Sequence, residues 1–154
     1  MTTDLMNSPA TTLPAAPTSA ASSTPASPSP HRDAIAWFEI PVLDMDRAQV
    51  FYEAMLGQPL RREPMGPQTL AVLPYDAANG VGGALLHGPA MPQTSSQGTL
   101  IYLNAGPVLE ATVARALAAG ARISTPRVDL PDGMGSFVHV IDSEGNRIGL
   151  HALA

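Results

Sequence analysis

The sequence predicts an α+β fold: two tandem βαβββ units whose strands, set side by side, make a half-open eight-stranded barrel-like groove. Three observations carry that expectation. The segment Trp37-Phe38-Glu39-Ile40-Pro41 and a helix-like run ending at Gly57 are echoed, about sixty-three residues on, by Leu100-Ile101-Tyr102-Leu103-Asn104 and a second run ending at Gly120. Leu85-Leu86-His87 is answered at almost the same spacing by Gly149-Leu150-His151. A turn sequence precedes each of these, Asp76-Ala77-Ala78-Asn79-Gly80 in the first copy and Asp142-Ser143-Glu144-Gly145 in the second.

Ala36 to Val42 is rich in aromatic and branched residues and reads as the first strand. Asp44 or Asp46 can cap the helix that follows, with Gln49 completing a capping box from Asp46 and Phe51, Ala54 and Met55 on one face. Gly57 supplies the left-handed stop. Strands are expected around Pro59 to Glu63, Thr69 to Leu73 and Val81 to His87, with Asn79-Gly80 as the last turn. In the second copy Thr99 to Asn104 reads as a strand and Pro107 as a helix start, where its missing N–H costs nothing. Val113, Ala116 and Leu117 form the expected buried stripe of that helix, which Gly120 ends. Strands near Ala121 to Ser124, Gly135 to Ile141 and Arg147 to Ala152 complete the set. One helix per sheet covers one face and leaves the other free to line a cleft.

Composition divides the chain. Residues 1–33 form an Ala/Ser/Thr/Pro-rich arm with too little apolar content to offset chain entropy, so the arm is expected to be disordered. It lacks the basic start and continuous apolar stretch of a secretory signal. Residues 34–154 are one domain by size, with repeats at about 34–92 and 98–154. No run approaches the roughly 20 apolar residues of a membrane span. A net charge of −5 and eight scattered arginines give no footprint for a phosphate backbone, which argues against nucleic acid as a partner. The absence of cysteine removes disulfides, thiol nucleophiles and thiolate metal sites, and fits a cytoplasmic protein.

The opening strand through Asp44, then Phe51-Tyr52-Glu53 and Leu56-Gly57, then Asp142-Ser143-Glu144-Gly145-Asn146, in order and repeated, resemble the vicinal oxygen chelate superfamily. This is the superfamily of glyoxalase, bleomycin-resistance and extradiol-dioxygenase proteins, and the resemblance covers Ala34 to Ala154. It implies a divalent metal held by His and Glu from the first and last strands of each unit. The four matching positions here are Trp37, Leu85, Leu100 and Gly149, none of which can bind a metal. The resemblance also implies a homodimer, since closed twofold pairs are the commonest assembly.

Two residues further along each of those strands stand Glu39, His87, Tyr102 and His151, expected to share a face with the erased positions. They could hold a displaced divalent metal or form an acid/base pair, although a two-residue shift moves a side chain roughly 6.5–7 Å. The expected ligand-binding set is Trp37, Glu39, His87, Tyr102 and His151, with no cofactor. Met65, Met91 and Met134 stand in loops where flexible thioethers can line a pocket or simply pack. His31 reads as solvated, and His139, in an apolar strand, as a hydrogen-bonded core histidine. Three functions stay open: metal-independent binding of a small, partly apolar molecule; an isomerase, lyase or oxygenase with a displaced or acid/base site; and a protein-interaction module.

Overall fold

The computed structural model describes residues 33–153, so the expected N-terminal arm and His31 lie outside the described residues. Asp44 caps the first helix: its carboxylate accepts from the Arg47 N–H at 3.0 Å. Asp46 does not cap, and Gln49 instead donates to Glu53 Oε1 on the next turn. The helix, α1 (Met45–Leu56), follows strand β1 (Trp37–Pro41) and ends on Gly57 at φ 70°. Its buried face is Met45, Ala48, Phe51, Tyr52 and Met55, while Ala54, expected there, points to solvent. Strands β2 (Arg61–Met65), β3 (Gln68–Val72) and β4 (Gly82–His87) complete the first repeat. The start of β2 lies later than expected because Pro59 has no N–H to pair and the Leu60 N–H is taken by Glu53 Oε1.

The second repeat runs β5 (Tyr102–Asn104), α2 (Leu109–Ala118), β6 (Arg122–Asp129), β7 (Ser136–Ile141) and β8 (Arg147–Ala152). Strand β5 is shorter than expected. Helix α2 starts two residues after Pro107 and buries Leu109, Thr112 and Ala116, with Val113 partly covered and Leu117 exposed. Thr112 enters the core because its hydroxyl donates to the Ala105 carbonyl at 2.8 Å. Strand β6 runs to Asp129, and its pairing with β7 shifts register on either side of Thr125, where Pro126 cannot donate to a ladder.

Each repeat makes one open four-stranded sheet, ordered β1-β4-β3-β2 and β5-β8-β7-β6, with the first and last strands parallel. The two helix-bearing faces share one core, which unites Ile40, Tyr52 and Leu85 with Leu103, Leu109 and Leu150. The outer face of the first sheet carries a separate small cluster, Leu70, Val72, Ala84 and Leu86, with Met91 against it. No helix among the described residues is long and apolar enough to cross a membrane.

The loop between β7 and β8 ties the repeats together. Asp142 Oδ1 accepts the N–H groups of Glu144 and Asn146, each at 2.8 Å, which closes the turn. Asn146 Nδ2 donates to the Pro41 carbonyl, and the Glu144 carboxylate accepts from Leu43 N, Asp44 N and Arg47. The equivalent turn in the first repeat, around Asp76, is exposed.

Candidate functional site

Strand alternation decides which side chains can meet on the outer faces, the ones turned from the helices. In β1 Phe38 and Ile40 belong to the shared core, so Trp37 and Glu39 face outward. In β4 Leu85 is in the core, so the outward residues are Gly82, Ala84 and Leu86. His87 therefore lies on the opposite face from Glu39, at the end of β4, where its Nδ1 sits 3.0 Å from the Val42 carbonyl. This corrects the expected grouping of Glu39 with His87. Its cause is a slip of one residue between the copies: Leu86 accepts from Val42 N where His151 accepts from Ala105 N, so His151 corresponds to Leu86. A slip of one exchanges the faces of a strand.

In the second repeat Leu103, Ile148, Leu150 and Ala152 pack into the core, which leaves Tyr102, Gly149 and His151 on the outer face. Tyr102 lies over Gly149, where a Cβ would come within 2.3 Å of its ring, so only glycine leaves room for it. The ring meets Phe137 edge-on at 5.5 Å between centroids, and Phe137 stacks on His139 at 4.8 Å. The Tyr102 hydroxyl is 2.8 Å from His139 Nε2, and His139 Nδ1 is 3.0 Å from Thr125 Oγ1. Burial, and then the charge of Arg147, hold His139 below its ordinary 6.5. The lowered value favours the uncharged ring at neutral pH, which has one nitrogen to donate and one to accept. The arrangement is an aromatic platform with a phenol and an imidazole coupled along it.

The first repeat repeats the device more simply. Trp37 lies over Gly82, where a Cβ would approach its ring to 2.6 Å, and meets Tyr75 edge-on at 6.1 Å. Trp37 is 39% exposed and Tyr102 46%, a large uncovered area for two aromatic rings.

The expected site residues thus divide into groups. Tyr102 and His151 line one open depression with Asn104 and Pro107. His151 Nε2 is 2.7 Å from the Met134 carbonyl, which orients its ring. Glu39 lines a cavity of about 220 Å³ beside Pro41, Ile101 and Arg147, so this cavity joins the two repeats. Segment 92–99 covers it, clipped down where Ser95 N donates to Asn146 Oδ1 and the Ser95 carbonyl accepts from Arg147 N. Phe137, Thr125 and Arg147 were not singled out from the sequence; His139, expected as a hydrogen-bonded core histidine, is hydrogen-bonded but half-buried on the outer face.

The side chains do not fit the divalent metal that the resemblance implies. Trp37, Gly82, Ala84, Leu86 and Gly149, on the outward faces of β1, β4 and β8, carry no lone-pair donor, and Leu85 is enclosed in the core. Among the described residues no group of three or more His, Asp or Glu side chains is placed to hold a metal.

Residues 34–150 match the family described as the Glyoxalase/Bleomycin resistance protein/Dioxygenase superfamily. A glyoxalase/bleomycin resistance protein from Streptomyces sp. CB03234 is 24% identical, covers 75% of this chain and 96% of its own, and has a TM-score of 0.56. TnmS3, an antibiotic binding protein from the same Streptomyces, is 24% identical over 78% of this chain and 95% of its own, with a TM-score of 0.56. A mutant of glyoxalase I from Zea mays is 18% identical over 77% of this chain and 45% of its own, with a TM-score of 0.58. At these identities the likeness is one of fold. Curated proteins offer no significant match.

Proposed function

Since the chain belongs to the Glyoxalase/Bleomycin resistance protein/Dioxygenase superfamily, a fold that hosts unrelated chemistries, we propose that it binds a small, partly apolar molecule without a metal ion. The observation that carries this reading is the Tyr102–Phe137–His139 platform, with Tyr102 exposed and the other two rings half-buried. Aromatic faces with a few polar anchors are what planar organic ligands bind. Trp37 supplies a second aromatic surface on the first repeat, His151 supplies polar orientation in the depression beside Tyr102, and Glu39 does so in the cavity between the repeats. His87, turned to the other face, drops out of the binding set. The neighbour TnmS3 is an antibiotic binding protein, which is in keeping with this reading.

The outer faces of both sheets expose aromatic and apolar residues, among them Trp37, Tyr75 and Tyr102. A homodimer in which a second copy covers part of this surface is therefore part of the proposal. Light scattering at micromolar protein is expected to give twice the chain mass; a monomer mass would remove this part and leave ligand binding to be judged alone.

Titration with a panel of planar aromatic compounds, followed by the emission of Trp37 and by calorimetry, tests the binding reading. Tyr102→Ala is expected to weaken binding about tenfold, from the lost ring contact and buried area. Affinity indifferent to both Tyr102→Ala and Trp37→Ala would overturn it, as would one metal ion per chain found by elemental analysis and lost with Glu39→Gln.

The Thr125–His139–Tyr102 chain favours a second reading, acid/base catalysis on the bound molecule. A neutral imidazole accepting from a phenol can exchange a proton with a substrate through Tyr102. Proton–deuterium exchange into a bound carbon acid, abolished by His139→Gln, would support it, and exchange at the uncatalysed rate would end it.

A further inference from the structure

Arg147 opens β8, and alternation turns its side chain to the outer face with Gly149 and His151. Its Nε is enclosed and has no hydrogen-bond partner among the described residues. No carboxylate lies within ion-pair distance of its guanidinium among the described residues. By contrast, Arg47, Arg61, Arg62 and Arg127 each meet an acidic side chain, and Arg122, which meets none among the described residues, is exposed to solvent. Arg115 gives its Nε to the Met55 carbonyl. A guanidinium is a rigid fork of donors that never loses its charge, and an enclosed N–H without an acceptor is unfavourable in any folded protein.

Arg147 also lines a cavity whose form suits a small bound anion. The cavity of about 220 Å³ that it lines has apolar walls from Ile40, Pro41, Ile101 and Ile148, with Glu39 the carboxylate on the same lining. Glu39 and Arg147 form no ion pair with each other, so both charges are available to a molecule between them. The volume suits a small molecule, the room of about seven waters at roughly 30 Å³ each. A nearby Glu39 disfavours a doubly charged phosphate, whereas a single carboxylate matches the guanidinium fork.

We propose that this cavity is an anion subsite in which Arg147 binds the carboxylate of a small organic acid. Glu39 accepts from a hydroxyl or amine of the same molecule, and the apolar walls hold its hydrocarbon. The proposal rests on the reading that the outer face of the second repeat binds ligand, and it adds the charge that the ligand carries. Arg147 pairs with Ile141, two residues along β7 from His139, so the subsite adjoins the platform.

Calorimetry on the full chain at low salt, with 3-hydroxybenzoate, 3-hydroxybenzamide and phenyl phosphate as probes, tests it. The benzoate is expected to bind about tenfold to a hundredfold more tightly than the neutral amide, as a charge-assisted hydrogen bond allows. Arg147→Met is expected to erase that preference without lowering the unfolding midpoint, because it removes an enclosed donor that nothing in the protein satisfies. A lowered midpoint would make Arg147 structural and overturn the subsite. Equal binding of benzoate and amide, or a preference that survives Arg147→Met, would also overturn it while leaving the platform in place. Tighter binding of phenyl phosphate than of the benzoate would overturn the carboxylate assignment. Silence from all three probes at millimolar concentration would sink the subsite, and the platform falls with it only if the aromatic panel is silent too.

Discussion

The Tyr52 hydroxyl donates a 2.7 Å hydrogen bond to Oδ2 of Asp142, ninety residues away, inside the seam between the two repeats. Tyr52 is fully enclosed and Asp142 nearly so. Burial pushes the Tyr52 phenol well above its ordinary 10.0, and the Asp142 charge pushes it further. The hydroxyl therefore stays a donor, and its contribution is fully present below 10.0 and lost only as pH climbs past that value. Tyr52→Phe keeps the ring and leaves Asp142 Oδ2 with Asn146 Nδ2 as its remaining donor. Urea unfolding is expected to show a loss of about 1–3 kcal/mol, with an unchanged denaturant slope. A change within experimental error would mean that the bond only replaces hydration of equal strength.

The same seam is expected to make the protein acid-sensitive. The Glu144 side chain is enclosed, and Arg47, which pairs with it at 2.8 Å, is half exposed. Burial pushes Glu144 up, but the Arg47 hydrogen bond and the N–H groups of Asp44 and Leu43, together with Ser143, outweigh it and hold the carboxyl below 4.5. A depressed carboxylate stabilises the fold above its unfolded value and loses that contribution as pH falls through the folded one. Stability is expected to decline as pH drops below 4.5. Glu144→Gln should flatten that decline and cost about 2–4 kcal/mol at neutral pH, since it strands donors that a carboxylate satisfied. Arg47→Ala should cost less, because water replaces part of what an exposed guanidinium gives. An equal acid slope in Glu144→Gln would show that other carboxylates carry it.

Most of the architecture was legible in the sequence because it rests on local signals. Gly57 stops α1, and the Asp142 turn marks the last hairpin. The duplicated strand placed β1 and β5 within a few residues. The candidate site was less legible, for a specific reason. A spacing between copies that drifts by one residue still finds the right strand, yet it puts His87 on the wrong face. His139 and Arg147 were hidden differently. Nothing local marks the first as a partner of Tyr102 or the second as short of an acceptor, because both properties arise only when β7 and β8 pair.

Gly149 holds the platform in place. Gly149→Ala would put a methyl carbon 2.3 Å from Cδ1 of Tyr102, which the ring can escape only by swinging outward. That motion breaks the 2.8 Å contact with His139. Overpacking of this kind costs about 1–3 kcal/mol, and ligand affinity should fall about tenfold, as for Tyr102→Ala. Calorimetry and thermal unfolding on one preparation separate the two effects. A variant that loses stability but keeps full affinity would take Tyr102 out of the binding surface.

The last prediction concerns the proton on His139. Burial is the larger cause of its lowered value and Arg147 the smaller, so its imidazole should titrate below 6.5 in the folded protein. A histidine depressed in this way supports the fold above its unfolded value, and that support fades as pH falls below 6.5 through the folded value. Protonation also changes what the platform offers. With both ring nitrogens donating, Tyr102 and Thr125 must each accept, and the Tyr102 hydroxyl proton turns from His139 toward the open face. Ligands that accept a hydrogen bond there should gain affinity as the ring protonates, and ligands that donate should lose it. Imidazole proton shifts followed by NMR give the midpoint directly, and Arg147→Met should raise it only partway to 6.5, because burial remains. A midpoint at or above 6.5 in the native chain would show that His139 is hydrated and uncoupled from Arg147, and the pH-dependent exchange of donor and acceptor would go with it.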